Sequence, residues 1–277
     1  MPSKPGSIQS IELDLFIEAV ARRHGLDFRN YARASLRRRV VGLAHKLGCA
    51  SIAELLPRVL HDDELLPEIL TGLSVPVTRM FRDPPVFRAM VETLRGAALP
   101  SLTVWQAGCA TGEEVYSLAI LLEEAGLLRN TRIFATDING TALAKAEAGV
   151  FPARMIDDNG EAYAQAGGTG DLASYFSRER GAVTVAAALS DHITFFHHNL
   201  VSDRGFCAAN LVVCRNVLIY FDRQLQDRVL GLLEASLLEG GFLCLGSKEN
   251  IVFSAVAPRF AVMDAALRLY RKRAGSA

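Results

Sequence analysis

Residues 102–122, LTVWQAGCATGEEVYSLAILL, set the frame for the whole chain. Leu102 to Ala107 is a short apolar run with β-branched and aromatic members. Gly108 to Gly112 is a turn of small residues, and Val115 to Leu122 carries apolar side chains at helical spacing. Strand, glycine turn and helix in that order are the opening unit of an open α/β sheet. Such a turn lies at the carboxyl edge of a strand, where backbone approaches a ligand and the next helix points its amino end at it.

The turn narrows the choice of ligand. Gly108-Cys109-Ala110-Thr111-Gly112 lacks the G-x-G-x-x-G spacing of a dinucleotide fingerprint and the Lys-Ser/Thr pair of a P-loop. Glu113 and Glu114 follow at once; they suit the positive end of a helix dipole and would repel a phosphate held there. A cationic or zwitterionic cofactor fits better, and S-adenosylmethionine carries both an ammonium and a sulfonium. The simpler reading is that both glutamates only cap the first helical turn. The flanking stretches decide between them.

Gly112-Glu113-Glu114-Val115-Tyr116-Ser117-Leu118-Ala119, together with Cys214-Arg215-Asn216-Val217-Leu218-Ile219-Tyr220-Phe221, resembles the CheR family of chemotaxis receptor methyltransferases. The second block is the more specific, since eight residues containing Arg-Asn and a Tyr match by chance far less often than a glycine turn. The resemblance is strong from about Leu73 to Phe253 and looser before it. It implies an α/β, Rossmann-like methyltransferase fold, a mostly parallel sheet with an antiparallel edge strand, an N-terminal helical domain and a small inserted antiparallel β-subdomain. The implied reaction is methyl transfer from S-adenosylmethionine to glutamate side chains of chemoreceptors, leaving S-adenosylhomocysteine. The expected organisation is a receptor-docking domain over 1–72, a linker over 73–90 that closes over the cofactor, and a methyltransferase domain over 91–277 with its insertion at about 152–196.

Composition agrees with that class. A chain of 277 residues that is 50% hydrophobic has ample core-forming material and needs no staples. Five cysteines without C-x-x-C or Cys/His pairing point away from a disulfide framework or a zinc site and toward a reducing compartment. Cys109, Cys207, Cys214 and Cys244 lie in or beside apolar runs and read as small buried hydrophobes. Met1 to Ser10 is polar, and no stretch approaches the roughly 20 apolar residues that span a bilayer, so a soluble, cytoplasmic protein is expected. A formal net charge of zero excludes a globally basic nucleic-acid binder.

The amino-terminal region is polarised: residues 1–50 hold nine Lys/Arg against four Asp/Glu, and residues 51–70 reverse the sign. Ile11, Leu15, Ile17 and Val20 mark one helix, Leu36, Val40, Leu43 and Leu47 a second stopped by Gly48, and Ile52, Leu55, Leu56 and Val59 a third. Consecutive Arg37, Arg38 and Arg39 fan out around the second helix; Arg33 and Arg37 share one side of its apolar stripe, Arg39 and Lys46 the other. Residue pattern alone leaves a solvated basic face and a docking surface equally open. The resemblance favours docking of Arg33, Arg37, Arg38 and Arg39 on an acidic receptor bundle.

Leu73 to Phe87, LSVPVTRMFRDPPVF, reads as an extended segment, then a turn at Pro84-Pro85 leading into a helix through Met90. The family segment runs roughly Leu-Thr-x-Asn-x-Thr-x-Phe-Phe-Arg; Thr78 and Arg82 fall on its Thr and Arg, while Pro76 replaces its Asn. Thr131 to Thr136 is a second strand ending at Asp137, placed to accept hydrogen bonds from ribose hydroxyls or to cap the helix that begins near Thr141. Gly160 to Gly181 breaks the rhythm, and the runs Val183-Thr184-Val185 and Ile193-Thr194-Phe195 resemble the inserted subdomain. Some members add a receptor-tail peptide to that sheet edge. Here the turn SRERGA between Phe176 and Val183 is several residues shorter, so no such tethering is expected.

Adjacent His197 and His198 face opposite ways in a strand and are assigned no metal. Asn199-Leu200 matches a family position beside the adenine, and Asn210 to Cys214 is a buried strand delivering Arg215, Asn216 and Tyr220 to the same edge. Asp222 caps a helix with Leu225, Val229, Leu232 and Leu233 inward, closed by Gly240-Gly241; Phe242 to Leu245 and Leu267 to Arg271 are the remaining strands, the latter at the edge. Gly246-Ser247-Lys248-Glu249 departs from the family's Gly-His-Ser-Glu. The resemblance thus implies cofactor contacts at Thr78, Arg82, Gly108, Glu114, Asp137, Asn199, Leu200, Arg215 and Asn216, and catalytic roles for Arg82 and Tyr220. Arg215 has a second reading as an arginine paired with an acidic neighbour, and Tyr220 as a packed aromatic. Phe81 and Tyr220 are expected to wall the site. No general base is needed, because a glutamate is already ionised at neutral pH. The alternative, a regulatory module of a chemosensory pathway that binds the cofactor without turnover, is left open by Pro76 and Ser247-Lys248 and opposed by Arg82 and Tyr220; an NAD oxidoreductase is opposed by Glu113-Glu114.

Overall fold

Two compact units emerge, one of residues 1–75 with 219–226, the other of 76–218 with 227–277. The computed structural model describes residues 7–74 and 78–275; Pro76 lies outside them. In chain order the elements are α1 (Ile8–His24), α2 (Arg33–Lys46), α3 (Ile52–His61), α4 (Leu66–Leu73), α5 (Pro84–Ala97), β1 (Leu102–Ala107), α6 (Glu113–Glu124), β2 (Thr131–Asp137), α7 (Gly140–Ala148) and β3 (Val150–Pro152). There follow α8 (Arg154–Gln165), β4 (Phe176–Glu179), β5 (Ala182–Val185), α9 (Ala187–Ser190), β6 (Ile193–His197), β7 (Ala209–Cys214), α10 (Arg223–Ala235), β8 (Leu237–Leu245), β9 (Phe260–Asp264) and β10 (Leu269–Lys272). No helix among the described residues is long and apolar enough to cross a membrane.

In the amino-terminal unit the helices bury the stripes that their periodicity sets out, with one shift. Helix α1 buries Leu13, Phe16, Ile17 and Val20, while Ile11 and Leu15, read as core from sequence, are about half exposed. A 3.6-residue period with apolar residues on two faces does not say which face the partner helices take, and α1 packs on α3 through the Leu13–Val20 face. Ser7 and Ser51 cap α1 and α3 by accepting the backbone N–H of Ser10 and Glu54. The unit also includes a clip from the carboxyl half of the chain. Tyr31 bridges Phe221, Ala32 N–H donates to Tyr220 O at 2.8 Å, and Asp222 N–H donates to Asn30 O at 2.8 Å.

The second unit is a seven-stranded sheet in the order β6-β2-β1-β7-β8-β10-β9, with the first five strands parallel and β10 and β9 antiparallel. The chain leaves β1 toward β2 on one side and returns to β7 on the other, so the carboxyl end of β1 is the topological switch point. Helix α6 is buried nearly all round, from Glu114 to Leu122, because it lies between the sheet and α5 and α9. Val104 and Ile133 face that helix layer, whereas Trp105 turns to the other face, stacks on Phe206 and donates its indole N–H to Thr136 Oγ1 at 3.0 Å.

Three sequence expectations change here. Ile193–His197 is not part of the insertion's sheet; it is β6, parallel to β2 at the edge of the large sheet. The small antiparallel sheet is β3-β5-β4, and its β4–β5 hairpin turns on Arg180 and Gly181, both with left-handed φ (46° and 82°), the geometry of a tight two-residue turn. Gly240-Gly241 does not close α10, which stops at Ala235 and buries Leu230 in place of Leu232. The glycines lie inside β8, where register shifts against β7 and a side chain on Gly241 would sit 2.9 Å from Leu238 O. Finally, the edge strand is β9; β10 is inserted between it and β8, because a short apolar alternation in Phe260–Asp264 is too brief to stand out from loop.

One carboxylate gathers several donors of the insertion, beside the apolar packing that joins it to the main core. Glu124, at the end of α6, accepts hydrogen bonds from the Tyr163 hydroxyl, Tyr175 Oη (3.0 Å), Thr169 N–H (2.9 Å) and Gly170 N–H (3.3 Å). Burial works to raise its pKa, yet these donors outweigh it and hold Glu124 below the ordinary carboxylate value.

Candidate active site

The glycine turn is welded to the end of β2. Gly108 N–H and Cys109 N–H both donate to Thr136 O, at 2.7 and 2.9 Å, and Ala110 N–H donates to Asp137 Oδ2 at 2.8 Å. Gly108 has φ 77°, and a Cβ there would fall 2.4 Å from Val217 Cγ2, so the turn presses directly on the segment following β7. Gly112, at φ 90°, leaves no room either, because its Cβ would meet Ala146 Cβ at 2.9 Å. Both glycines are therefore demanded by close approach and by left-handed backbone.

Asp137 accepts from Ala110 through one oxygen and from Asn139 N–H through the other, at 2.9 Å. It does not cap α7; Asn139 does, through Ala142 N–H. The Asp137 carboxyl is partly reached by solvent but deeply surrounded. That burial raises its pKa, against the N–H donors of Asn139, Ala110 and Ile138, which lower it. With three N–H donors on about four lone-pair sites, the carboxylate retains capacity for a further donor. Asn199, one turn beyond β6, spends its backbone N–H on Asp203 Oδ2 (2.8 Å) and its side-chain oxygen on Val201 N–H (2.9 Å); it and Leu200 are buried beside Asp137's strand.

Glu113 and Glu114 divide the work. Glu113 is half-exposed, accepts from Thr111 Oγ1 at 2.6 Å, and has its pKa raised by burial. Glu114 is buried, accepts from Gln106 Nε2 at 3.0 Å and lies 3.0 Å from Arg215 Nη1. The Arg215 side chain is completely shielded; its other terminal nitrogen donates to Asp83 Oδ2 at 2.7 Å, and its guanidinium lies over the Phe87 ring, 5.8 Å from the centroid. Burial works to lower the Arg215 pKa, but the charges around it, Glu114 foremost and Asp83 with it, hold it above the ordinary value. Of the two sequence readings of Arg215, ion pairing is the one its guanidinium realises.

Asn216 has φ 61°, donates its backbone N–H to Glu249 Oε2 (3.0 Å), and leaves its side-chain Oδ1 buried without a hydrogen-bond partner among the described residues. Glu249 also accepts Gly246 N–H at 2.6 Å, so the Gly246–Glu249 block clamps the segment that carries Asn216.

Phe81 does not wall an open site. It is fully buried against Phe87 (6.0 Å) and Tyr163 (5.3 Å), and its N–H donates to Ser117 Oγ at 2.8 Å. Arg82, the next residue, is partly exposed and makes no ion pair or hydrogen bond among the described residues; the same holds for Thr78. Tyr220 belongs with the amino-terminal unit, where Arg39 lies 5.0 Å from its ring centroid. Arg39 accordingly leaves the predicted docking set. Its guanidinium donates to Leu73 O and to Ser35 O (3.3 Å) and is half-buried, with burial lowering its pKa. Arg33 pairs with Asp14 at 2.5 Å, whereas Arg37 and Arg38 are exposed and unpaired among the described residues.

Sequence reading missed Gln106, Ser117, Asp83 and Glu249. Gln106 carried a signal, as a polar residue inside an apolar strand that needs a buried partner.

Residues 76–266 match the family described as "CheR methyltransferase, SAM binding domain", and residues 11–74 match "CheR methyltransferase, all-alpha domain". The chain belongs to the CheR methyltransferase family. Among CheR relatives, the putative methyltransferase Cher3 of Pseudomonas putida is 45% identical over 95% of this chain and 97% of its own length. The chemotaxis protein methyltransferase of Listeria innocua is 29% identical over 86% of this chain and 89% of its own. An uncharacterized 104.1 kDa protein of Rhodobacter capsulatus is 33% identical over 94% of this chain, which spans 27% of that protein. The cofactor of this CheR chain is S-adenosylmethionine, and the edge fits it. The residues around Gly108 present a half-exposed Glu113, an Asp137 with acceptor capacity to spare and an unpartnered buried Asn216 Oδ1. This cluster of acceptors suits a cationic, hydroxyl-bearing molecule better than a pyrophosphate.

Proposed function

We propose that this methyltransferase esterifies glutamate side chains of chemoreceptor signalling domains. The observation that carries the reading is Arg82, a partly exposed guanidinium without an ion pair or hydrogen bond among the described residues, next to Asp83, which is tied to Arg215 at the carboxyl end of β7. An unpaired cation at the sheet's carboxyl edge suits an anionic acceptor. Relatives named chemotaxis protein methyltransferases, such as that of Listeria innocua, support the chemosensory setting.

S-adenosylmethionine supplies a methyl group on a sulfonium that leaves as a neutral thioether. This chain's own residues do the rest. Asp137 accepts ribose hydroxyls, Asn199 and Leu200 border the base, and the Gly108 turn and Asn216 contribute backbone and amide contacts, with Thr78 and Arg82 on the opposite side. Glu114 and Arg215 support those contacts from behind, through each other. An incoming carboxylate resists leaving water, since desolvation raises its pKa. Arg82 offsets that by a charge-assisted hydrogen bond, and no general base is required for an anion. Arg37 and Arg38, with Arg33 beside them, present positive charge to an acidic helical surface.

The test is transfer of labelled methyl from S-adenosylmethionine to a purified receptor signalling domain, with Arg82→Ala alongside. Base-labile label on glutamates, lost in the variant while S-adenosylhomocysteine still binds, is the expected result. Binding without transfer to any domain offered overturns the proposal.

A further inference from the structure

The three residues Phe81, Arg82 and Asp83 form an arch with unusual backbone. Phe81 (φ 50°) and Asp83 (φ 56°) are both left-handed without being glycine. Each such residue is strained and persists only where its surroundings over-determine it. At Phe81 the restraint is plain: a fully buried ring, and an N–H bonded to Ser117 Oγ, which itself donates to Glu113 O at 2.6 Å. At Asp83 the carbonyl accepts Val86 N–H at 3.0 Å, and the side chain is held by an ion pair to Arg215 at 2.7 Å, Arg215 being in turn 3.0 Å from Glu114 in the first turn of α6.

We infer that Asp83, held through Arg215 to Glu114, is a positioning residue that fixes the arch and keeps Arg82 unpaired for the acceptor carboxylate; this rests on the proposed reaction. Two effects combine. The chain of charges pins the backbone on the carboxyl side of Arg82, while the buried Phe81 pins the other. Equally, the acid nearest Arg82 in sequence has its carboxylate turned to a different arginine. Removing Arg215's grip frees Asp83 to neutralise Arg82. Lysine cannot replace Arg215, because only a planar fork reaches two carboxylates at once.

A double-mutant cycle on the full chain tests this, comparing wild type, Asp83→Ala, Arg82→Ala and the pair. The measurements are kcat for methyl transfer to a receptor signalling domain, S-adenosylhomocysteine affinity by calorimetry, and amide exchange across residues 78–90. Asp83→Ala is expected to lower kcat by about tenfold or more, the scale of a misplaced catalytic group, with affinity changed less than about threefold. On the Arg82→Ala background it should cost nothing further. Asp83→Asn keeps an acceptor oxygen for Arg215 and tolerates left-handed backbone, so it should restore most of the rate. A rate within about twofold of wild type for Asp83→Ala overturns the inference, as does an undiminished loss on the Arg82→Ala background. Should the wild type itself transfer nothing, the glutamate reading fails, and amide exchange alone decides the positioning role. Faster exchange in Asp83→Ala with cofactor affinity kept upholds it, and unchanged exchange removes it.

Discussion

Gly108 shows how much one missing Cβ controls. Its left-handed φ of 77° and the 2.4 Å approach of Val217 Cγ2 make Gly108→Ala a double fault. The substitution should destabilise the protein by roughly 1–3 kcal/mol and abolish S-adenosylhomocysteine binding, read by thermal melting and calorimetry. Adding Val217→Ala should recover part of the stability, because it opens space without relieving the backbone. Arg39 gives a second residue-level outcome. Arg39→Ala strips donors from Leu73 O and Ser35 O and a cation from the Tyr220 ring, so it should lower stability by about 1–2 kcal/mol. Arg37→Ala should leave the melting temperature within about a degree of wild type, as expected for an exposed site. Sequence could not separate these neighbours, since consecutive positions on a helix differ only in which way the unseen partner lies. Asp83 was silent for a similar reason: Asp before Pro-Pro reads as a turn, and nothing in a turn's chemistry announces an arginine 132 positions away.

Elements were legible where local pattern and tertiary role coincide. β1, the glycine turn and α6 are continuous, strongly patterned and buried, so β1 held at its read bounds and α6 runs only two residues beyond the Val115–Leu122 pattern at each end. β9 and the inner half of β8 were not. Their glycines and short alternation serve a register shift and a strand order that only the assembled sheet defines. The insertion illustrates the same limit, for the carboxylate that gathers its donors is Glu124, a helix-end glutamate indistinguishable in sequence from a solvated one. Glu124→Gln should destabilise the insertion by about 1–2 kcal/mol at pH 7. Its folded pKa lies below the unfolded value near 4.5, so the stabilisation is complete above that value and lost as pH falls through the folded one. Melting curves of wild type and variant should therefore converge at acid pH. A gap of equal size at pH 7 and pH 3 would show that the charge is irrelevant.

At the scale of the molecule, the basic helix face and the sheet edge belong to different units, and receptor docking is expected to be electrostatic where chemistry is not. The Arg37→Ala/Arg38→Ala pair should raise the KM for a receptor domain at low ionic strength and leave kcat nearly unchanged. The difference should shrink as salt shortens the Debye length from about 10 Å at 0.1 M toward about 3 Å at 1 M. A KM that ignores salt in both proteins would move docking off this face. The clip through Tyr220 to Asp222 also bears on inheritance. The helical unit draws on two stretches of the gene that lie nearly 150 codons apart, and the backbone bonds from Asn30–Ala32 to Tyr220–Asp222 join them. Recombination that transplanted the first 75 codons alone would import the helical unit without the 219–226 segment that clips it. New docking specificities in such chains should therefore arise by drift at exposed positions such as Arg37 and Arg38, and seldom by exchange of whole modules.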